Sequence, residues 1–443
     1  MINTNLLVST AAVMAAFALP AGAQSLVALY DSARTYDAAY QSAKSQFDAT
    51  LARSEQAVAG VLPTVGITIG ASVSAQSIEP DTGPRSDRNF GTLSSTLTAT
   101  HPLYRPANWI TYAQGKKGID QAQAQLLVAD QDLIVRVSQA YFEVLASQDS
   151  LTFVLAQKAA VAEQLASAKR NFEVGTSTIT DTREAQARFD LVIAQQLGAE
   201  NDLRVKKIAL DQLVGKTDAR PGTLALPLAL PALVPADVNA WVLQSEDVHP
   251  AIRQAKTALE VALLETEKAR TGHKPTLDLF ANLGIIKNQD GSASAAAGSF
   301  VNSGSVGLSF NWPLFAGYSV QNRIKETLAL EDKARNDLEG AKRTVAQATR
   351  TAYFGVDSLL GQVKAFEAAE ASSQSALDAN KLGYQVGVRI NIDVLNAQSQ
   401  LFQTKRDLAR ARYDVLVNGL KLRQANGTLK AEDLQGVNAL LAR

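Results

Sequence analysis

Four stretches of the chain alternate between apolar and polar residues. In the first, Val65, Ile67, Ile69 and Val73 alternate with glycine, serine and threonine, a period of two that is typical of a β-strand whose faces meet different media. Three further apolar rows follow: Leu93, Leu97 and Ala99; Leu277, Leu279, Leu283 and Ile285; Val306, Leu308, Phe310 and Trp312. We predict two β-hairpins, at about 63–103 and 275–313, with strands of roughly 10 to 13 residues, near the length that crosses a hydrocarbon layer.

Each hairpin is followed by a long stretch with helical periodicity. From about Ala107 to Asn171 there is no proline, and apolar residues recur at intervals of three, four or seven, the spacing of a coiled-coil seam. An equal stretch runs from Val320 to Tyr384. Such a helix is about 100 Å long. We therefore expect these helices to project from the strands as a helical cylinder or bundle.

The two halves of the chain repeat one another at an offset of 212 residues. The matching strings are Ala43-Lys44 with Ala255-Lys256, Pro63-Thr64 with Pro275-Thr276, Ala140-Tyr141-Phe142 with Ala352-Tyr353-Phe354, Val174-Gly175 with Val386-Gly387, Asp181 with Asp393, Ala185-Gln186 with Ala397-Gln398, and Gly215 with Gly427. The offset slips by one residue at Pro102 and Pro313. A common spacing that includes glycine and proline indicates duplication. Two units of this length are too few and too long for a solenoid, so a pseudo-symmetric protomer fits better.

The repeat predicts the domain organisation. We expect a first repeat at 24–215, a connecting segment at 216–238, a second repeat at 239–427 and a C-terminal tail at 428–443. Each repeat consists of a helix, a hairpin, a long helix, a tight turn and a further helix. Glycine at each tight turn, Gly175 and Gly387, can adopt the left-handed backbone that reverses the chain.

The first 23 residues predict a signal peptide. The apolar run from Leu6 to Leu19 is too short to span a bilayer, and Ala21-Gly22-Ala23 supplies the small residues that a signal peptidase needs. Gln24 is then the expected first residue of the mature chain. The segment departs from the usual pattern because no lysine or arginine precedes the apolar run.

Four strands are too few to close a barrel. An open sheet edge is not tolerated in lipid because its N–H and C=O groups find no water partner. Closure must come from other copies of the chain: bacterial barrels have at least about 8 strands, so two copies are a minimum and three give about 12. A β-sandwich shows the same alternation, but here the strands are few and very long helices flank them.

Composition removes several classes of function. The chain has no cysteine, which excludes disulfides, thiol catalysis and a lipidated cysteine. Acidic and basic residues number 43 each, so no net field attracts nucleic acid. The three histidines lack metal-ligand spacing, and there is no phosphate-binding glycine loop or nucleophile elbow. We expect no enzyme, cofactor or metal site, and no transmembrane helix after Ala23.

The mature chain resembles the TolC family of outer-membrane efflux and secretion channels over essentially its whole length. The strings that carry the resemblance are Gly272-His273-Lys274-Pro275-Thr276-Leu277-Asp278-Leu279, Val306-Gly307-Leu308-Ser309-Phe310, Ile179-Thr180-Asp181, Gly383-Tyr384-Gln385-Val386-Gly387, Ile392-Asp393-Val394-Leu395 and Gly427-Thr428-Leu429. The resemblance implies an α+β membrane protein: a homotrimer with a 12-stranded β-barrel in outer-membrane lipid, continued by a long α-helical barrel. It implies a passive duct for small-molecule efflux or type I secretion, with a periplasmic adaptor and an inner-membrane pump as partners.

The resemblance also implies a gate at the two helix turns. Thr180, Asp181, Tyr384 and Arg389 match an aperture latch, although an ordinary solvated helix cap is the alternative for these four, since Asp and Thr favour helix starts. Such a latch is weak, since an exposed ion pair contributes about 0–1 kcal/mol. The latch residues Tyr384 and Arg389 stand where the first repeat has Phe172 and Ser177, so gating is expected from this asymmetry.

Two further features of the turns have implied roles. Asp393 matches a ring of tunnel charges, and Asn396 stands one turn later where the family often carries a second Asp; a helix cap is again the alternative for Asp393. Gly175 and Gly387 mark the tip turns where an adaptor docks. The competing function is a periplasmic coiled-coil structural or adaptor protein, which would leave the amphipathic strands without lipid.

Overall fold

The computed structural model describes residues 24–225, 230–289 and 298–441. The predicted signal peptide at 1–23 lies outside these residues, as do parts of the connecting segment, the second hairpin loop and the C-terminal tail. The described residues form these helices and strands: α1 Leu26–Tyr36, α2 Ala38–Gln56, β1 Thr64–Ile78, β2 Ser86–Tyr104, α3 Pro106–Glu173, α4 Ile179–Val214, α5 Val238–Val248, α6 Pro250–Arg270, β3 Thr276–Asn288, β4 Phe300–Asn311, α7 Ser319–Gln385, α8 Asn391–Ala425 and α9 Asp433–Asn438.

The chain divides into two compact units. Of the described residues, one unit contains those within 24–41, 128–249 and 345–441, and the other contains those within 42–127 and 250–344. The second unit holds the four strands, and the first holds the turns between the long helices. None of the described helices is both long enough and apolar enough to cross a membrane.

The four strands form one antiparallel sheet in the order β1-β2-β3-β4. Within the first hairpin Ile67 lies opposite Leu97, and within the second Leu279 lies opposite Leu308. These are equivalent positions of the two repeats, so both hairpins have the same register. The hairpins join through β2 and β3, where Leu97 lies opposite Leu283.

Two details of the sheet differ from the sequence prediction. β1 has 15 residues and β2 has 19, longer than expected, because pairing continues as far as Ile78 with Ser86 through polar residues that show no alternation. The stretch from Asn288 to Gly304, with its serine, alanine and glycine tract, predicts a hairpin loop from the sequence, and this was wrong from Phe300 onward. Phe300 to Gly304 belong to β4 and pair with Lys287 to Leu283.

A paired charge ties the sheet to the first long helix. Arg105 is the single residue between β2 and α3. Its Nε and Nη2 donate to the two carboxylate oxygens of the buried Asp278 on β3, at 2.7 and 2.5 Å. A bidentate bond of this kind fixes direction as well as distance. The start of α3 is therefore held by a strand of the other repeat.

The repeated tyrosines hold the connecting segment in the helical unit. The Tyr141 hydroxyl donates to the carbonyl oxygen of Gly222 at 3.0 Å. The Tyr353 hydroxyl, 212 residues later, donates to the carbonyl oxygen of Ala236. Both phenol rings are buried, where an unpaired hydroxyl would be costly. The duplicated tyrosine therefore makes an equivalent hydrogen bond in each repeat, one near each end of the connecting segment.

Aromatic contacts join α3 to α8 in the same unit. Phe142 packs against the ring of Tyr413 with a centroid separation of 5.7 Å. The Tyr413 hydroxyl donates to Asp149 Oδ2 at 2.6 Å. Burial raises the pKa of the Asp149 carboxyl and the pKa of the Tyr413 phenol. The long helix of the first repeat, α3, is thus packed against the last long helix of the second repeat, α8, within one chain.

Glycine ends the last helix of each repeat and also turns the chain at each tip. Gly427 and Gly387 both have positive φ, 82° and 76°. A Cβ at Gly427 would lie 2.5 Å from the Cα of His249, whereas nothing lies within 4 Å of one at Gly387. The two positions share the backbone requirement and differ in the space around it.

We predict that Gly427→Ala destabilises the protein more than Gly387→Ala. Both changes place an L side chain at positive φ, which costs about 1–2 kcal/mol. Only Gly427→Ala adds overpacking, typically about 1–3 kcal/mol. Thermal unfolding of the purified proteins in detergent, followed by circular dichroism at one scan rate, should give the lower midpoint for Gly427→Ala. Equal midpoints would contradict this assignment.

Candidate functional site

The two turns between long helices close in the same way. In the first, the Gly175 N–H donates to the Phe172 carbonyl at 3.0 Å and the Thr176 N–H donates to the Asn171 carbonyl at 2.8 Å. In the second, Gly387 and Val388 repeat these bonds at 3.2 and 2.9 Å, to Tyr384 and Gly383. Such bonds satisfy the last carbonyls of a helix when the next residue is left-handed. The duplicated glycine is thus used for the same purpose twice.

The start of α4 is a complete capping box. The Thr178 hydroxyl accepts from the Asp181 N–H at 3.2 Å, and Asp181 Oδ2 accepts from the Thr178 N–H at 3.0 Å. The Asp181 carboxylate therefore serves its own helix within the chain, as the alternative interpretation expected. Thr180 is exposed, and its side chain makes no hydrogen bond to any described residue.

The start of α8 is built differently. Ile390 occupies the N-cap position and gives no side-chain bond. Arg389 Nη1 lies 3.6 Å from Asp393 Oδ2, one turn along the same helix, with both side chains partly in solvent. The structure therefore brings Arg389 to Asp393 and not to Thr180 or Asp181. The latch that we expected from these residues stays a prediction.

Polar bonds nevertheless join the helices of the two repeats at three points near the turns. Asn171 Nδ2 donates to the Tyr384 hydroxyl at 3.2 Å, and Arg188 Nη2 donates to Asn396 Oδ1 at 2.6 Å. Gln164 Nε2 donates to Asn391 Oδ1 at 2.5 Å. Tyr384 and Asn396 were named from the sequence, but their partners were not.

Asn391 is the residue that sequence reasoning missed most clearly. Its side-chain amide is fully buried, and its Nδ2 donates to the Asp181 carbonyl at 3.2 Å. A signal was available in the repeat, since the equivalent residue is Ile179. A change from isoleucine to asparagine at one position of a duplicated pair marks a site where the two copies diverged.

The charges of the expected tunnel ring are partly compensated. Asp393 has Arg389 beside it, and Asn396 is bonded to a second guanidinium, that of Arg188. Opposite charges at such distances weaken the field that reaches further into solvent. The role of Asp393 and Asn396 as a ring of tunnel charges stays a prediction.

Valines lie exposed at both turns. Val174 and Val386 precede the turn glycines, and Val388 follows the second of them; all three side chains are mostly in solvent. Neighbouring exposed apolar side chains can mark a site of protein interaction. The role of Gly175 and Gly387 in adaptor docking stays a prediction.

Comparison with known proteins identifies the class. The sequence model of the outer membrane efflux protein family matches residues 29–216 and 241–428, two segments separated by the 212-residue offset. The chain is 32% identical to outer membrane protein TolC of Vibrio cholerae over 94% of each chain. It is 30% identical to the alkaline protease secretion protein AprF of Pseudomonas aeruginosa over 80% of this chain and 74% of that protein.

The fold agrees with this relationship. The Campylobacter jejuni CmeC outer membrane channel superposes with a TM-score of 0.76, covering 94% of this chain and 90% of that one at 17% identity. The fold and the matches define an export channel of the outer membrane. The chain belongs to the outer membrane efflux protein family. The family resemblance and the internal repeat predicted from the sequence are confirmed, and the relatives are channels rather than enzymes.

We predict that Arg389→Ser and Tyr384→Phe each raise single-channel conductance in a planar bilayer. Arg389→Ser removes the guanidinium that the family resemblance places in the latch, and Tyr384→Phe removes the acceptor of the Asn171 amide. Each change weakens the polar contacts at the turns. Phe172→Tyr and Ser177→Arg, at the equivalent positions of the first repeat, are the matched controls. Conductance that stays at the wild-type value in Arg389→Ser and Tyr384→Phe would count against a latch here.

We predict that Asn396→Asp increases selectivity for cations and block by divalent cations. The substitution adds a carboxylate next to Asp393, and paired rings of carboxylates attract cations at a pore. Reversal potentials in a salt gradient measure the change, with Asn396→Gln as the uncharged control. Identical reversal potentials for wild type and Asn396→Asp would show that position 396 does not face the conducting path.

Proposed function

We propose that three copies of this chain form one passive duct, a homotrimer whose 12-stranded β-barrel continues as an α-helical barrel into the periplasm. Small molecules or secreted proteins would pass through it without chemical change, so the chain carries no catalytic activity. The observation that carries the proposal is the set of faces that one chain leaves open. The equivalent faces in the other repeat are packed against each other within the chain.

The sheet gives the first pair of open faces. β2 and β3 pair with each other inside the chain, while β1 and β4 are its edges. β4 is the repeat equivalent of β2, and β1 is the equivalent of β3. Pairing β4 of one copy with β1 of the next would therefore repeat a contact that the chain already makes. It would also remove both edges, as lipid requires.

The repeat specifies the register of this contact between copies. Ser95 lies opposite Ile285, and Ala99 lies opposite Ala281. Transferred to the equivalent positions, Val306 of one copy lies opposite Val73 of the next, and Phe310 lies opposite Ile69. All four of these side chains are exposed in one chain. Their apolar rows would form a continuous band around the barrel.

The helical unit gives the second pair. Phe142 on α3 is 1% exposed and packs against α8, whereas its equivalent Phe354 on α7 is 57% exposed. Likewise Val417 on α8 is 7% exposed and its equivalent Val205 on α4 is 52% exposed. The α3–α8 contact is made within the chain, so α7 of one copy would meet α4 of the next.

This head-to-tail arrangement closes into a ring and leaves no face open. Two copies reach only the lower limit of about 8 strands, and the family resemblance favours three. A periplasmic structural or adaptor protein would explain the long helices. It would leave the apolar rows of all four strands in water.

The partners follow from the same proposal. The duct needs an energy source, and we propose an inner-membrane pump joined through a periplasmic adaptor that docks at the turns of Gly175 and Gly387. One relative is named for the secretion of alkaline protease, and the family is named for efflux. Both kinds of cargo are compatible with a duct whose substrate is chosen by the pump.

The cross-strand register provides the test. Because the chain has no cysteine, Val73→Cys with Val306→Cys introduces the only two thiols. Inside one chain β1 and β4 are three strand spacings apart, about 14 Å, and a disulfide requires Cα atoms within about 7 Å. We expect oxidation in outer-membrane fractions to yield a ladder that ends at three chains.

Ile67→Cys with Val306→Cys is the matched control. Ile67 and Val73 lie on the same face of β1, six residues or about 20 Å apart along the strand, so this pair should stay uncross-linked. A ladder that ends at two chains, or no cross-link from the Val73 and Val306 pair, would contradict the proposed trimer. Recovery of the protein in the soluble fraction would favour the periplasmic alternative.

A further inference from the structure

The first residues of α8 reverse the polarity found at the equivalent residues of α4. In the first repeat Thr178 caps α4, and Ile179, the first helical residue, is 48% exposed. In the second repeat the cap position holds Ile390, which is exposed and gives no side-chain bond. The following residue is Asn391, which is 0% exposed.

This order is unfavourable for the helix itself. Asparagine is among the best N-cap residues and isoleucine among the worst, and a buried amide must find partners for its polar groups. Placing the asparagine at position 390 and the isoleucine at 391 would satisfy both rules. Local departures of this kind concentrate at functional sites, so the position of Asn391 needs an explanation outside its own helix.

The explanation lies in its two bonds. Asn391 Oδ1 accepts from Gln164 Nε2 on α3 at 2.5 Å, and Asn391 Nδ2 donates to the carbonyl oxygen of Asp181 on α4 at 3.2 Å. A single amide thus joins the start of α8 to both helices of the first repeat. The bonds cross 227 and 210 residues of sequence.

The surroundings make these bonds stronger than the exposed contacts at the turns. Leu395, one turn further along α8, is buried with Leu165 and Ala185, residues of α3 and α4 that follow Gln164 and Asp181 closely. Hydrogen bonds in such partly buried surroundings are weakened less by water than exposed ones. The ion pair of Arg389 with Asp393, in contrast, is largely in solvent and stays within one helix.

We propose that Asn391 is the positioning residue that keeps the α7–α8 turn closed against the α3–α4 turn, and that its bonds to Gln164 and Asp181 break when the duct opens. The proposal rests on the proposed function as a duct that is gated at these turns. It assigns the link within each chain to a buried amide, in addition to the four residues expected from the family.

Single-channel conductance in a planar bilayer tests the proposal. Asn391→Leu keeps the branched shape of the side chain and removes both bonds, and we expect a several-fold rise in conductance. Gln164→Met removes one bond and should raise the conductance less. Because the two residues act as a pair, the double variant should conduct no better than Asn391→Leu alone. Asn391→Gln keeps an amide and should stay closer to wild type than Asn391→Leu.

Matched controls separate gating from folding and from the channel function. Ile179→Leu alters the equivalent position of the first repeat, which makes no such link, and should leave the conductance unchanged. Thermal unfolding in detergent identifies any variant that fails to fold, in which case Gln164→Met carries the test. If the wild type conducts and neither Asn391→Leu nor Gln164→Met differs from it, the proposed link is overturned while the duct stands. If the wild type forms no channel, the proposed duct itself is overturned.

Discussion

A β-strand in lipid must find a partner for every backbone N–H and C=O, and the rest of this architecture depends on that requirement. One chain supplies four strands whose two edges are open. Neither edge can be hidden by curling, because four strands are too few to close. The two edge strands of one chain must therefore pair with strands of other copies. The sheet inside one chain already contains the contact that satisfies it, between β2 and β3.

Duplication allows one kind of contact to be used both within a chain and between copies. In the proposed trimer, the contact between the two repeats of one chain is used again between copies, which would bury Phe354 as its equivalent Phe142 is buried. The copies differ where symmetry would be a disadvantage. The α3–α4 turn is closed by the capping box of Thr178 and Asp181, whereas α8 begins with an uncapped isoleucine and a buried Asn391 bonded across to α3 and α4. The α3–α4 turn is stabilised by the cap of its own helix α4, and the α7–α8 turn is stabilised by bonds to α3 and α4.

The fold could be predicted from the sequence to a large extent. Alternating apolar and polar residues predict the strands, and the heptad-like spacing of apolar residues predicts the long helices. The prediction was less accurate where residues without regular alternation continue a strand, as between Ser86 and Thr92, or begin one, as at Phe300 to Gly304. These residues pair through backbone bonds that leave no trace in the hydrophobic pattern. The repeat supplied what the local pattern lacked, since both hairpins share one register.

The candidate site was less accessible to sequence reasoning. Tyr384, Arg389, Asp393 and Asn396 could be named by resemblance, but Asn171 and Arg188, the partners of Tyr384 and Asn396, are set by how the helices pack. Asp181 proved to be occupied with capping α4 in its own chain. Asn391 could have been found only by comparing the two repeats position by position, because its bonds reach residues more than 200 positions away.

The number of copies in the closed ring is the most direct test of this account. Native mass spectrometry of the wild-type protein, extracted from outer membranes in mild detergent, measures that number without any substitution. The account predicts a single assembly with three times the mass of the mature chain, which dissociates only when the detergent or the fold is disrupted. A monomer would leave both sheet edges open, and an assembly of two chains would close with fewer strands than the proposed barrel; either result would contradict it.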